Sequence, residues 1–136
     1  MTTSRITGEF VKRLNALAIR GQPALVKPVE LESAVSRPHW LSRYEPGQSV
    51  PRLAAELAYG IIMNHPFADG NKRTAFLAAN EFLRERGHKA FLEIGPDMVP
   101  ATEDVMAVIG DAHNRVATSE LSAEGLAAVY AKALRV

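Results

Sequence analysis

The sequence predicts an all-α fold, a bundle of helices built around one helix–turn–helix hairpin. Three observations carry that expectation. Leu53, Leu57, Ala58, Ile61 and Ile62 recur at helical spacing before a polar turn. Ala75, Phe76, Ala79, Phe82 and Leu83 repeat the pattern after it. Both ends of the chain add further apolar faces of the same period, Phe10/Leu14/Leu17 and Leu126/Val129/Tyr130/Leu134.

In chain order, a first helix is expected from about Ile6 to Ala18, with Gly21 near its end. Gln22-Pro23 and Lys27-Pro28 break regularity, so Ala24 to Lys27 reads as a short extended segment and Glu30 to Val35 as one or two helical turns. Pro38 to Pro51, with Gly47 inside it, reads as a loop. Trp40 and Tyr44 lie in or beside it; a loop aromatic is either a docking anchor or tucked onto the core, and the second is expected here. Val50 to Asn64 and Gly70 to Arg86 are the hairpin helices. The latter is expected to be central, with Arg84 and Arg86 suiting its C-terminal dipole and Gly87 stopping it. Phe91 to Ile94 is a brief strand or extended link. Pro100 or Thr102 opens another helix with Val105, Val108 and Ile109 inward, and Ser122 caps a last one to about Leu134.

The 136 residues suit a single domain with a real core. No apolar run approaches the ~20 residues that span a bilayer, and the N-terminus lacks a charged region followed by an apolar block. With no cysteine, disulfides and thiolate metal sites are excluded, which suits a reducing cytoplasm. Sixteen basic against 15 acidic residues leave a net charge of +1, so there is no global attraction to nucleic acid or membrane. Any anion site must be a local cluster.

The turn itself, His65-Pro66-Phe67-Ala68-Asp69-Gly70-Asn71-Lys72-Arg73, is such a cluster. Pro66 ends one helix, and Asp69 or Gly70 is placed to cap the next. The free N–H groups of Asn71, Lys72 and Arg73 then combine with the positive helix end and two cationic side chains to make an anion site. Two cations at a helix N-terminus oppose its dipole, a cost that makes sense if an anion is normally bound there. His65 stands across the turn, where a neutral imidazole accepts a hydroxyl proton near pH 7. His39, His88 and His113 have no such company and are expected at the surface.

This run resembles the signature of the Fic/Doc superfamily: a His, a Phe two places on, then an acidic residue, a Gly and an Asn. Most Fic proteins follow the Asn with Gly-Arg and transfer AMP from ATP to a protein hydroxyl. Here Lys72 replaces that Gly, which resembles the Doc branch, the death-on-curing toxins that transfer the γ-phosphate. Leu31-Glu32-Ser33-Ala34-Val35-Ser36-Arg37-Pro38 is similar to a segment that Doc-like proteins carry in their flap region, and Tyr59-Gly60-Ile61 and Gly87 also fit.

The resemblance implies a Fic-fold helical bundle with a short flap, a small β-hairpin among its forms. It implies ATP and Mg²⁺ as cofactors and His65 as catalytic base. Asp69 would hold Mg²⁺; as a carboxylate it also suits a helix cap. Gly70, Asn71, Lys72 and Arg73 would bind phosphate, with Lys72 and Arg73 as charge clamp and Lys72 filling room that an AMP-transferring site leaves open. Asn80, two turns further on, either reaches the nucleotide or is a hydrogen-bonded amide between helices. Glu32, Ser33 and Arg37 would align an extended target peptide by strand-like pairing, or else belong to a capped short helix with a surface Arg. The self-blocking Fic motif is not matched, because Ser119 to Glu124-Gly125 has one residue too many and Glu124 reads as an ordinary first-turn acid. A separate Phd-like antitoxin would therefore cover the site. The implied activity is a toxin kinase that modifies a Thr or Ser of a protein substrate such as elongation factor Tu. AMP transfer and a non-catalytic antitoxin-binding module are the alternatives.

Overall fold

The computed structural model describes residues 4–93, 99–101 and 104–136. Among the described residues are six helices and one small hairpin: α1 (Gly8–Ile19), α2 (Pro28–Tyr44), α3 (Val50–Asn64), α4 (Asn71–Glu85), β1 (Leu92–Glu93), β2 (Val99–Pro100), α5 (Val105–Ala117) and α6 (Ala123–Leu134). The all-α expectation with a small flap hairpin is met.

Local chemistry explains most helix starts. Thr7, Ser49 and Ser122 each accept a hydrogen bond from an N–H of the first turn, at 3.1, 3.2 and 3.0 Å. Pro28 and Pro51 occupy first-turn positions, where a missing N–H costs nothing. α3 is the central element, in contact with α2, α4, α5 and α6. Its Leu53, Leu57, Ala58 and Ile61 are all buried, and α4 adds Ala75, Ala78, Ala79 and Leu83 beside it.

Three expectations fail. Of the loop expected from Pro38 to Pro51 only residues 45–49 are non-helical: α2 runs unbroken to Tyr44, with Pro38 buried inside it, and α3 starts at Val50. An internal Pro removes a hydrogen bond and costs about 3 kcal/mol, so packing must offset it. Ala34 approaches Gly60 so closely that a Cβ there would lie 3.1 Å from it. Arg37 Nε donates to the Glu56 carboxylate of α3 at 2.9 Å, and its guanidinium stacks over Tyr59. Second, Trp40 and Tyr44 do not tuck in; they stack on each other on the exposed side of α2, at 47% and 76% exposure. Third, α1 buries Val11, Leu14 and Asn15, and its Leu17 is exposed.

β1 pairs antiparallel with β2, Leu92 opposite Pro100. Of the expected strand Phe91–Ile94, Ile94 lies outside the described residues, as does Thr102, one of the two proposed starts of α5.

Candidate functional site

Residues 65–70 link α3 to α4 and are laced to the connection after α1. The Pro66 carbonyl accepts the N–H groups of Val26 and Lys27 at 2.9 and 3.0 Å, and Ala68 N–H donates to the Ala24 carbonyl at 2.8 Å. Leu25 bridges Phe67, whose ring is wholly buried. The short extended segment at 24–27 thus serves as a strut for the turn.

His65 closes α3 in the left-handed conformation, φ 51°, uncommon for a residue with a side chain. Gly70, φ 76°, precedes α4. A Cβ at Gly70 would sit 2.7 Å from Ile19 Cγ2, so its smallness serves packing against α1 as well as the turn. Gly70, not Asp69, holds the cap position of α4, and no side chain caps that end. His65, Asp69, Gly70, Asn71, Lys72 and Arg73 line one cavity of about 370 Å³.

The polar groups around it are arranged unevenly. Asp69 is 70% exposed, with Arg73 Nη2 at 3.9 Å. Arg73 Nη1 donates to the Ala18 carbonyl of α1 at 2.9 Å. Lys72 Nζ donates to Asn114 of α5 at 2.8 Å, so the ammonium leans toward α5. Asn71 is nearly buried and acts as a brace. Its Oδ1 accepts the Phe67 N–H at 3.1 Å and its Nδ2 donates to the Phe67 carbonyl at 2.7 Å. This pairing orients the amide, so its second N–H faces His65 Nδ1 at 3.2 Å. An amide nitrogen only donates; the neutral ring therefore accepts at Nδ1 and carries its proton on Nε2.

A model described as Fic/DOC family matches residues 3–83. The chain belongs to the Fic/DOC family. A curated relative named Toxin Doc, from Mycolicibacterium smegmatis (strain ATCC 700084 / mc(2)155), is 32% identical over 133 residues, 95% of this chain and 92% of its own length.

In this Fic/DOC chain the cavity has one carboxylate and two cations at an open helix end, a donor set suited to a polyphosphate. Among the described residues no group of three or more His, Asp or Glu side chains is gathered to hold a metal ion. Asp69 alone, an exposed hard oxygen donor, fits Mg²⁺ in the way that ion is commonly held, by one or two carboxylates with phosphate oxygens completing the shell.

Other expected site residues lie elsewhere. Glu32, Ser33 and Arg37 are on helix α2, so their backbone cannot pair with a peptide as a strand, and none lines the His65 cavity. The Glu32 carboxylate packs on Gly8 at the start of α1, where a side chain would collide with it. Arg37 belongs to a network in which Glu56 holds both Arg37 and Arg52, and Arg52 reaches Glu124 at 3.1 Å. The hairpin of this fold follows α4. Asn80, 1% exposed, spends its amide on both backbone groups of Leu92 at 2.9 Å, anchoring that hairpin. It is a structural amide and no part of the cavity.

Two groups escaped sequence reasoning. Asn15 is fully buried; its Nδ2 donates to the Asp69 carbonyl at 2.9 Å and Thr74 Oγ1 at 3.1 Å, and its Oδ1 accepts Ala24 N–H at 2.8 Å. A polar residue beside Leu14 on an apolar face was the available signal. His113, expected at the surface, is 2% exposed and 2.5 Å from the Tyr130 hydroxyl. Burial lowers its pKa to about 4, partly opposed by a hydrogen bond to the Lys72 backbone. Burial likewise pushes Tyr130 well above its usual range. The neutral ring thus donates to the Lys72 carbonyl and accepts from Tyr130, fixing α5 and α6 behind the first turn of α4.

Proposed function

We propose that this chain is a Doc-like toxin whose cavity transfers the γ-phosphate of ATP to a Ser or Thr hydroxyl of a translation factor resembling elongation factor Tu. The observation that carries the reading is the sharing of one cavity by His65 and by the uncapped, doubly cationic start of α4. The Doc-named relative supports a toxin role. Such a role calls for an antitoxin, proposed here as Phd-like.

Catalysis of phosphoryl transfer is chiefly positioning and charge stabilisation. The N–H groups of the first turn, with Lys72 and Arg73, would hold the polyphosphate and stabilise charge developing on the transferred group. Mg²⁺ held at Asp69 would supply further neutralisation of phosphate charge. The acceptor oxygen forms a bond to the γ-phosphorus, the bond to the β,γ-bridging oxygen breaks, ADP leaves, and the hydroxyl proton passes to His65. In the unliganded arrangement Nε2 carries the proton, so it accepts another only after the ring shifts its proton to Nδ1. That shift requires the 3.2 Å contact with Asn71 to open. The exposed ring of His65 has room for the small rotation this needs.

A second reading, AMP transfer, is favoured by one observation: Lys72 Nζ is drawn to Asn114, leaving phosphate room that a Lys at this position was expected to fill. Incubation with γ-labelled and with α-labelled ATP, Mg²⁺ and a bacterial lysate separates the two. The kinase reading expects label from the γ position only, a gain of one phosphate on the target, and loss of both labelling and growth inhibition on His65→Ala. Label from the α position would replace it with AMP transfer, and undiminished growth inhibition by His65→Ala would remove both.

A further inference from the structure

Two consecutive residues of α5 grip Lys72. The buried His113 ring donates to its backbone carbonyl, and Asn114 Oδ1 accepts from its ammonium at 2.8 Å. The first contact fixes where the side chain starts, the second where it ends. Arg73, the other cation of the helix start, is held by a different neighbour: its Nη1 donates to the Ala18 carbonyl of α1 at 2.9 Å. One charge therefore stands against α5 and the other against α1, beside the uncapped end of α4. We propose that Asn114 is a positioning residue for the phosphate site, holding the Lys72 ammonium at the α5 rim of the His65 cavity before any anion arrives. The proposal rests on the phosphate reading of that cavity and adds to it a residue from outside the motif.

The chemistry of the acceptor is what singles it out. A lysine ammonium has three N–H donors, and Asn114 takes one, so the others remain for phosphate oxygens. A lysine without an anchor loses the freedom of its long stem at the moment the anion binds. A tether formed beforehand has already met part of that loss. A carboxylate at 114 would hold the ammonium more firmly, but it would cancel the charge that phosphate requires. Elsewhere in the chain cations do take carboxylates, Lys12 that of Glu9 and Arg84 that of Glu81. At the cavity a neutral amide oxygen fixes the ammonium and leaves its charge whole. The position also fits. Ala117, three residues further along α5, lines the His65 cavity, so Asn114 stands about 4.5 Å along the helix axis from a residue of its wall. Asn114 is not itself part of that wall, so it acts on a bound anion through Lys72.

The test is calorimetry with Mg-tripolyphosphate on the wild type, Asn114→Ala, Lys72→Met and the double variant. Asn114 is exposed on its helix and Ala is a better helix former, so the fold is retained, which a thermal melt verifies. Asn114→Ala is expected to weaken binding about fivefold, the size of a partly lost side-chain ordering. On the Lys72→Met background the same change is expected to do nothing, because the group it positions is gone. Equal weakening on both backgrounds would mark a general structural role and overturn the proposal. Unchanged or tighter binding by Asn114→Ala would overturn it too, the latter by showing that the amide competes with phosphate for the ammonium. A second readout needs no anion: the Lys72 ammonium nitrogen resonance of the free protein is expected to move on Asn114→Ala, and an unmoved resonance would overturn the proposal. Each of these failures leaves the phosphate reading standing. Failure of the wild type to bind tripolyphosphate would overturn that reading, and this role for Asn114 with it.

Discussion

Replacing Asn15 with Ala should loosen the motif turn more than any other single change on α1. The side chain makes three hydrogen bonds, to the Asp69 carbonyl, the Thr74 hydroxyl and the Ala24 N–H. Each contributes roughly 1 kcal/mol net, and a buried group left without a partner costs at least as much again when no water reaches it. The three bonds alone come to about 3 kcal/mol of unfolding free energy, or a fall in Tm of about 10 °C for a chain of this size, and any partner that water does not reach adds to it. Urea denaturation followed by circular dichroism measures it, with an unchanged m-value as the sign that only stability has moved. Thr74→Val removes only one of the bonds and should cost about 1 kcal/mol. Because that bond is already lost in Asn15→Ala, the double variant should be less destabilised than the two single changes added together. An Asn15→Ala protein less than about 1 kcal/mol weaker than wild type would refute the idea that this amide organises the turn.

Two further outcomes follow from the buried polar groups. His113 has a folded pKa near 4 against 6.5 for the free side chain, so the folded state binds fewer protons between those values. Its contribution is therefore complete above about pH 6.5 and is lost as pH falls toward 4, by about 3 kcal/mol in all. His113→Gln should flatten the slope of stability against pH over that window, measured by urea titrations from pH 7.5 to 4.5; an unaltered slope would show the ring to be solvated. Glu56 is the shared partner of Arg37 and Arg52. Glu56→Ala should cost about 2 kcal/mol, below the full penalty for a broken buried pair because Arg37 retains partial access to water, and Glu56→Gln should cost less. Denaturant midpoints for the two variants check both the size and the order.

Much of the site was legible because its signals are contiguous. Asp69 through Arg73 occupy one turn and the start of one helix, so proximity along the chain placed them around one cavity with His65. The start of the last helix was equally local, since Ser122 meets an N–H three residues on. The misreadings share a different cause. α2 contains a Pro and a weak apolar pattern, and what holds it helical is Gly60 and Glu56 on another element. Asn80 looked like a ligand contact because an amide suits a phosphate; the fold gave its hydrogen bonds to Leu92 instead. His113 lacked any neighbour in sequence to mark it, since its hydroxyl partner lies 17 residues away on α6.

The sequence by itself determined the helical architecture, the cation-rich turn and the family. Helical period, capping and the motif are written within a few residues of one another. Only the tertiary structure decided which polar side chains face the cavity and which are spent as braces. Those outcomes depend on desolvation and on partners distant in the chain, so no short stretch of residues encodes them.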